Sequence, residues 1–159
     1  MDNLSNVYAR NCSVRRIDKI SADAFLSRYH RLGTTGGRYR YGLFVNRTTG
    51  AGEKQLPAGT LVAVSVFSNA RRWNKGDVKV SSYEWIRYAS PDGIRVVGGM
   101  SRMLKTFIGE VNPDDVMSYA DENYPDHGMV YQQLGFVKES VVEKDGYRNV
   151  KYRLKLTHW

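Results

Sequence analysis

The sequence predicts an α/β protein: a mixed sheet with antiparallel ends, a parallel strand pair at its centre and helices on both faces. Three observations predict it. A strand-like segment at 82–88, a Gly98-Gly99 turn, a helix-like segment at 101–108 and a second strand-like segment at 116–121 follow in that order, which suits a parallel pair joined by a crossover. The run Leu-Val-Ala-Val-Ser-Val-Phe at 61–67 is almost continuously apolar, as a central strand covered on both faces would be. Asp145-Gly146 lies between two β-rich runs, 136–142 and 148–156, and predicts a closing hairpin.

The elements follow one another along the chain. Residues 13–17 alternate weakly and open the sheet. Ser21 is placed as a helix N-cap with Asp23 in the first turn, and Phe25, Leu26, Tyr29 and Leu32 share a helical face. Glycines at 33–37 end that helix, and 38–45 alternates as an aromatic-rich strand. The polar, glycine-rich stretch 46–59 reads as a long hairpin connection, and 71–79 as a basic loop. Pro113 separates the helix that starts near Ser101 from the strand at 116–120. A short helix at 129–136 precedes the final hairpin.

At 159 residues the chain is long enough for one domain, spanning 1–159, with a proper core. No apolar run is long enough to cross a bilayer, so no membrane partner is expected. The first six residues lack a basic-then-apolar pattern, and Cys12 is the only cysteine; both fit a cytoplasmic protein with no internal disulfide. Lys and Arg number 24 against 16 Asp and Glu, a formal charge of +8. That balance favours nucleic acid, an anionic cofactor or an acidic partner over polycationic small molecules.

Gly98 and Gly99 carry the strongest chemical signal. Glycine lets the backbone approach an anion closely, and the first N–H groups of the following helix have no partner within it. Backbone N–H groups from Gly98 through Gly99, Met100 and Ser101 would hold a pyrophosphate, with Arg95 and Arg102 adding charge-assisted bonds. A plain tight turn would use the same glycines. The basic segment Arg71-Arg72-Trp73 suits nucleic acid, since cations meet phosphate and an indole stacks on an unpaired base. A solvated hairpin would read the same way.

The order of elements, the glycine turn after the fourth strand and the string Tyr-Gln-Gln-Leu-Gly-Phe at 131–136 resemble the GNAT acyltransferase superfamily. The resemblance spans nearly the whole chain and implies acetyl-CoA, or another acyl-CoA, as cofactor. Arg95, Gly98 and Met100 stand at the places of its pyrophosphate loop, Met100 where a small residue is usual. Tyr131 stands where the superfamily keeps the tyrosine that protonates the departing thiolate. A phenol suits that role because its pKa is close to a thiol's.

A narrower likeness is to Mom-type phage DNA-modification proteins. It rests on Tyr29-His30, Glu84 with Arg87, Ser101-Arg102, Ser118 to Asp121, His127-Gly128 and Tyr131, the histidine and glycine being adjacent where one residue usually intervenes. It implies a phage or mobile-element context and adenine modification in DNA, with Ser118 at the substrate.

Acyl transfer to an amine also needs a base. Glu84 is a candidate, alone or through a water, and its alternative is an ion pair with Arg87, itself a catalytic candidate. Asp121 ends a predicted parallel strand, where α/β sheets place function, though an aspartate there is also a natural cap. His30 and His127 are candidate substrate contacts because imidazole titrates near neutrality. Nothing in their spacing calls for a metal. The leading reading is an acyl-CoA-dependent N-acyltransferase with nucleic acid as favoured acceptor. Its rivals are transfer to a small amine or a protein amino group, and a catalytically inactive nucleic-acid-binding module.

Overall fold

The computed structural model describes residues 5–144 and 146–159. They form two compact units, residues 5–67 with 87–111 and residues 68–86 with 112–144 and 146–159. Among the described residues no helix is long and apolar enough to cross a membrane.

The first unit opens with β1 (Ser5–Tyr8), a 3-10 turn (Ala9–Asn11) and β2 (Cys12–Arg16). Helix α1 (Lys19–Tyr29) follows, then β3 (Tyr39–Val45) and β4 (Leu61–Phe67). β2, β3 and β4 pair antiparallel. From Val62 to Phe67 every residue of β4 is buried, as its unbroken apolar run demands. The cap of α1 is Asp18, whose side chain accepts the Ser21 N–H at 2.7 Å, and not Ser21 itself. Both are capping residue types, and the helix starts at the earlier one. The 46–59 connection is tied across its middle by two Thr49–Leu56 backbone bonds of 2.9 and 2.7 Å.

The long strand β6 (Val78–Ala89) ends in this unit and is followed by β7 (Ile94–Val97) and helix α2 (Gly99–Val111). β7 is a correction to the sequence reading, which ran the earlier strand directly into the glycines. It exists because β1, also unforeseen, pairs with it in parallel from Ser5–Ile94 to Tyr8–Val97. Helix α2 packs by Phe107, whose ring stacks on Phe67 at 3.9 Å between centroids, with Tyr41 edge-on to both. The Tyr41 hydroxyl reaches out of this apolar cluster to donate to Glu110 at 2.6 Å. Burial, then the neighbouring carboxylate, push its phenol far above the ordinary tyrosine range.

The second unit holds β5 (Arg71–Lys75), the start of β6, β8 (Asp115–Asp121), α3 (Pro125–Gln133), β9 (Val137–Lys144) and β10 (Tyr147–Lys155). Its strands run β5-β6-β8-β10-β9, with β6 and β8 parallel and the outer pairs antiparallel, so the predicted mixed sheet with a central parallel pair is present. The expected basic loop at 71–79 is a hairpin instead. Its cations are exposed edge-strand side chains, and Gly76, at φ +60°, makes the turn. Helix α3 begins four residues before the predicted start, at a proline suited to a first turn, and ends at Gln133. Gly146 turns the closing hairpin at φ +77°, while Asp145 lies outside the described residues.

A buried polar chain fixes the start of the parallel pair. The Trp73 indole donates to Ser82 Oγ at 2.9 Å, and Ser82 donates to Asp115 at 2.6 Å. Arg153 closes the chain on the other Asp115 oxygen at 2.6 Å. Asp115 is fully buried, so this pairing is what makes its charge tolerable.

Candidate active site

In the first unit, β7 delivers the chain to Gly98, whose φ of +77° belongs to the left-handed region that glycine occupies without strain. The next residue needs glycine for another reason: a Cβ on Gly99 would run into the Tyr88 hydroxyl and Val96. The first α-helical bond of α2 runs from the Arg102 N–H to the Gly98 carbonyl at 3.0 Å. The N–H groups of Gly99, Met100 and Ser101 precede it, at the positive end of the helix dipole. Met100 is half-buried, and its side chain leaves that N–H in place.

Beside this helix start lies a cleft of about 300 Å³, lined by Gly98, Ser101, Arg10, Arg102 and Lys105 among others, with no carboxylate among the described residues. Arg102 spends one donor on the Ala9 carbonyl at 2.8 Å, leaving most of its five N–H groups for an anion. Arg95 is exposed on β7, in register with Asn6. Lys105 and Arg10 were not singled out from sequence. Lys105 sits one helical turn after Ser101 and was legible by that spacing. Arg10 comes to the cleft only through the β1–β7 pairing.

In the second unit, the parallel register joins Ser82–Glu84 to Asp115–Met117. At the next step Ser118 Oγ takes over, 2.9 Å from the Trp85 carbonyl and 2.8 Å from the Tyr131 hydroxyl. One hydroxyl carries one proton. With Ser118 donating to the carbonyl, the phenol donates to Ser118, giving a directed chain from Tyr131 through Ser118 to Trp85.

Helix α3 places Tyr131 by its C-terminal cap. The Phe136 N–H bonds the Tyr131 carbonyl, the Gly135 N–H bonds the Gln132 carbonyl, both at 3.0 Å, and Gly135 has φ +96°. That is a Schellman cap, and its usual hydrophobic contact is the Tyr131–Phe136 ring pair at 5.4 Å. The Tyr-Gln-Gln-Leu-Gly-Phe string thus encodes the cap that fixes the phenol. Trp85 and Tyr152 complete its aromatic surround. Burial pushes the Tyr131 phenol up, the Ser118 hydrogen bond pulls it back, and the negative charge of Glu84 raises it again. The group is held protonated at neutral pH, the state a proton donor requires. Glu84 is half-buried, and its charge also raises Tyr119.

The other predicted residues have local partners. Asp121 is buried and accepts the Asn123 N–H at 2.9 Å, a local turn bond before α3, whose N-cap is Tyr124 and not Asp121. Arg87 donates to the Gly33 and Thr34 carbonyls at 3.1 and 3.5 Å, holding the loop after α1. His30 Nδ1 accepts the Leu32 N–H at 3.0 Å just past that helix. His127 is exposed and stacked on Tyr124 at 5.2 Å. Arg71 and Arg72 are exposed on β5, whereas Trp73 is tied to Ser82 and set edge-on to Trp159 at 5.0 Å. Trp159 gathers Lys155, Arg153 and Lys75 over its ring at 3.9, 5.4 and 5.5 Å. Among the described residues no three His, Cys, Asp or Glu side chains converge as metal ligands.

No family model matches the sequence, and no curated protein matches it by sequence. Solved structures do match by fold. Ard1 from Thermoplasma volcanium superposes with a TM-score of 0.64 at 13% identity, covering 93% of this chain and 99% of that one. The NatC complex bound to Gag peptide and CoA gives 0.63 at 12% identity over 92% and 99%. A GNAT family acetyltransferase from Elizabethkingia anophelis with acetyl-CoA bound gives 0.56 at 11% identity, also over 92% and 99%. At such identities the likeness is one of fold, and it spans the chain: the protein has the fold of the GNAT acetyltransferases.

Proposed function

We propose that this protein is an acyl-CoA-dependent N-acyltransferase, with an amine on nucleic acid as its favoured acceptor. The observation that carries the transferase reading is the Tyr131–Ser118–Trp85 chain, a neutral proton donor held in a directed hydrogen bond. The α2 start fits the cofactor: a left-handed glycine, three leading N–H groups and a carboxylate-free cationic cleft suit a pyrophosphate. Fold neighbours with CoA or acetyl-CoA bound support the same cofactor. Acyl-CoA supplies an activated thioester carbonyl and a thiolate leaving group.

The protein's own residues then have separate tasks. Gly99, Met100 and Ser101 would hold the pyrophosphate by their N–H groups, and Arg102 would offset part of its charge, with Arg95 available from β7. Glu84 would take the proton that the acceptor nitrogen gives up on acylation. Tyr131 would supply the proton that the thiolate leaving group requires. Ser118 turns its O–H from the Trp85 carbonyl to the phenolate, so the new charge is met as it forms.

Nucleic acid is favoured by the +8 charge and by the exposed Arg71 and Arg72 beside the aromatic pair Trp73–Trp159. Adenine modification of the Mom type is the finest form of this reading. In it His30, His127, Asp121 and Arg87 contact the base directly or support the segments that do. A protein amino group is the second reading, favoured by the likeness to NatC, a complex bound to a peptide.

Calorimetric titration with acetyl-CoA tests the first step. Saturable binding lost in Gly98→Asp is expected, since the substitution places a carboxylate where the pyrophosphate would lie. No binding at millimolar cofactor sinks the transferase reading. Transfer of labelled acetyl groups to single-stranded DNA, duplex DNA and short peptides then separates the acceptors. Transfer to DNA that weakens steeply with salt supports the nucleic-acid form, and exclusive transfer to peptide overturns it.

A further inference from the structure

A second and larger cavity, of about 550 Å³, lies on the first unit between β1, the 3-10 turn and the end of β3 with its following loop. Its floor is apolar and buried, formed in part by Val7, Cys12 and Val45. Its walls are a different matter. Two guanidiniums, Arg10 and Arg47, enter the lining together with amides and hydroxyls, and among the described residues no carboxylate does. Among the described residues neither arginine forms an ion pair. A cavity with two uncompensated cations and no acid selects an anion.

The walls are also held in place. Arg10 lies over the Tyr8 ring at 4.8 Å. Asn46 is fixed twice, its N–H bonded to the Asn11 carbonyl at 3.1 Å and its side-chain oxygen accepting the Ser13 hydroxyl at 2.6 Å. The Thr49–Leu56 bonds brace the loop that carries Arg47. The volume falls within the range of small-molecule sites and exceeds what a lone phosphate fills. The remaining lining of amides and threonine hydroxyls suits the hydroxyl groups of a sugar.

We propose that this cavity binds a phosphorylated sugar, free or as part of a nucleotide, with Arg47 and Arg10 on its phosphate. Arg10 also lines the cleft at the α2 start, so the two sites share one cation. A ligand in the cavity therefore competes for Arg10 with an anion in the cleft. The proposal does not depend on acyl transfer, because the cavity's charge and shape stand whatever the cleft holds.

Calorimetry with inorganic phosphate, glucose 6-phosphate and adenosine 5′-monophosphate tests it, with glucose and adenosine as uncharged controls. We expect saturable binding of at least one phosphorylated sugar, weakened tenfold or more in Arg47→Ala and unchanged in Lys105→Ala, which lines only the cleft. Both substitutions are of exposed side chains, and circular dichroism melting checks that each variant folds. Glucose 6-phosphate and the nucleotide separate the free sugar phosphate from the nucleotide form. Inorganic phosphate binding as tightly as either sugar overturns the sugar part of the assignment. Absence of binding at 10 mM of every probe (about the weakest affinity such a site could usefully have) overturns the site. Binding lost in Lys105→Ala but retained in Arg47→Ala moves the ligand to the cleft and overturns it equally.

Discussion

At the start of α2, cations and leading backbone N–H groups line an open cleft. Around Tyr131, two hydroxyls and a carbonyl are enclosed by aromatic rings, under the field of Glu84. Under the proposed function, the first region would work by summed charge, spread over several groups and screened by salt. The second would work by the position of one proton in a low-dielectric surround, where a single atom decides the outcome. Substitutions should therefore be graded in the first region and abrupt in the second. The first should show in cofactor affinity and the second in turnover.

The largest expected effect is that of Tyr131→Phe. It deletes one oxygen and keeps the ring that packs on Trp85, Phe136 and Tyr152. Turnover should fall roughly 10²–10⁴-fold, the range for loss of a positioned proton donor. Acetyl-CoA affinity and melting temperature should stay close to the parent's. A loss of affinity matching the loss of turnover would show that the phenol binds the cofactor instead of protonating the thiolate.

Arg102→Ala tests the other side of the comparison. It removes a charge from the cleft and the bond to the Ala9 carbonyl. Acetyl-CoA affinity should drop about tenfold, as for one charge-assisted bond, with turnover at saturation almost unchanged. Raising the salt should shrink the difference between parent and variant. An unscreened loss would mean that Arg102 acts through its anchor on the 3-10 turn and not through its charge.

How far these regions were legible in the sequence follows the same division. Gly98 and Gly99 announce the helix start because a left-handed turn and a close approach to Tyr88 admit little else. Tyr131 was legible through the resemblance of the 131–136 string to the GNAT superfamily, a string that the structure shows to be a local helix cap. The Ser118 bridge was not, since it depends on where the β6–β8 register ends. Arg10 and β7 were hidden for a related reason: β1 pairs with a strand nearly ninety residues away, as the Ser5–Ile94 register shows. β5 was mistaken for a loop because an exposed edge strand with Trp73 alone among cations and an amide has no apolar alternation to reveal it. Asp121 and His30, whose residue types suggested chemistry, have the local turn partners that polar side chains often take.

Ser118→Ala and Glu84→Gln sharpen the comparison by moving the same proton in opposite directions. Ser118 lowers the Tyr131 phenol because its O–H can turn to the phenolate once the proton has left, so its removal raises the folded pKa. A proton donor loses activity as pH rises through its pKa. The alkaline limb of the turnover profile should therefore move to higher pH in Ser118→Ala, while turnover at the plateau falls about tenfold with the lost hydrogen bonds. Glu84 raises the phenol by its charge, so Glu84→Gln should move that limb to lower pH. It should also lower turnover at the plateau, since Glu84 is the proposed base. Parallel shifts in both variants would mean that the limb reports some other group.

The smallest expected effect is that of Lys105→Ala. Lys105 is exposed, its ammonium is well hydrated, and it faces the cleft from one turn beyond the leading N–H groups. Its contribution to acetyl-CoA affinity should be about two- to threefold at low salt, in line with an exposed charge pair. At an ionic strength of about 0.5 M, where the Debye length is only a few ångströms, it should vanish. Combined with Arg102→Ala, the two losses should multiply in affinity, since independent cations act on the anion through a shared field and not through each other. The hydroxyl chain predicts the reverse: Ser118→Ala added to Tyr131→Phe should cost almost nothing further in turnover, because the second atom has no function once the first is gone. Additive losses at the helix start and saturating losses at Tyr131 would separate a site built from charge from one built around a single proton.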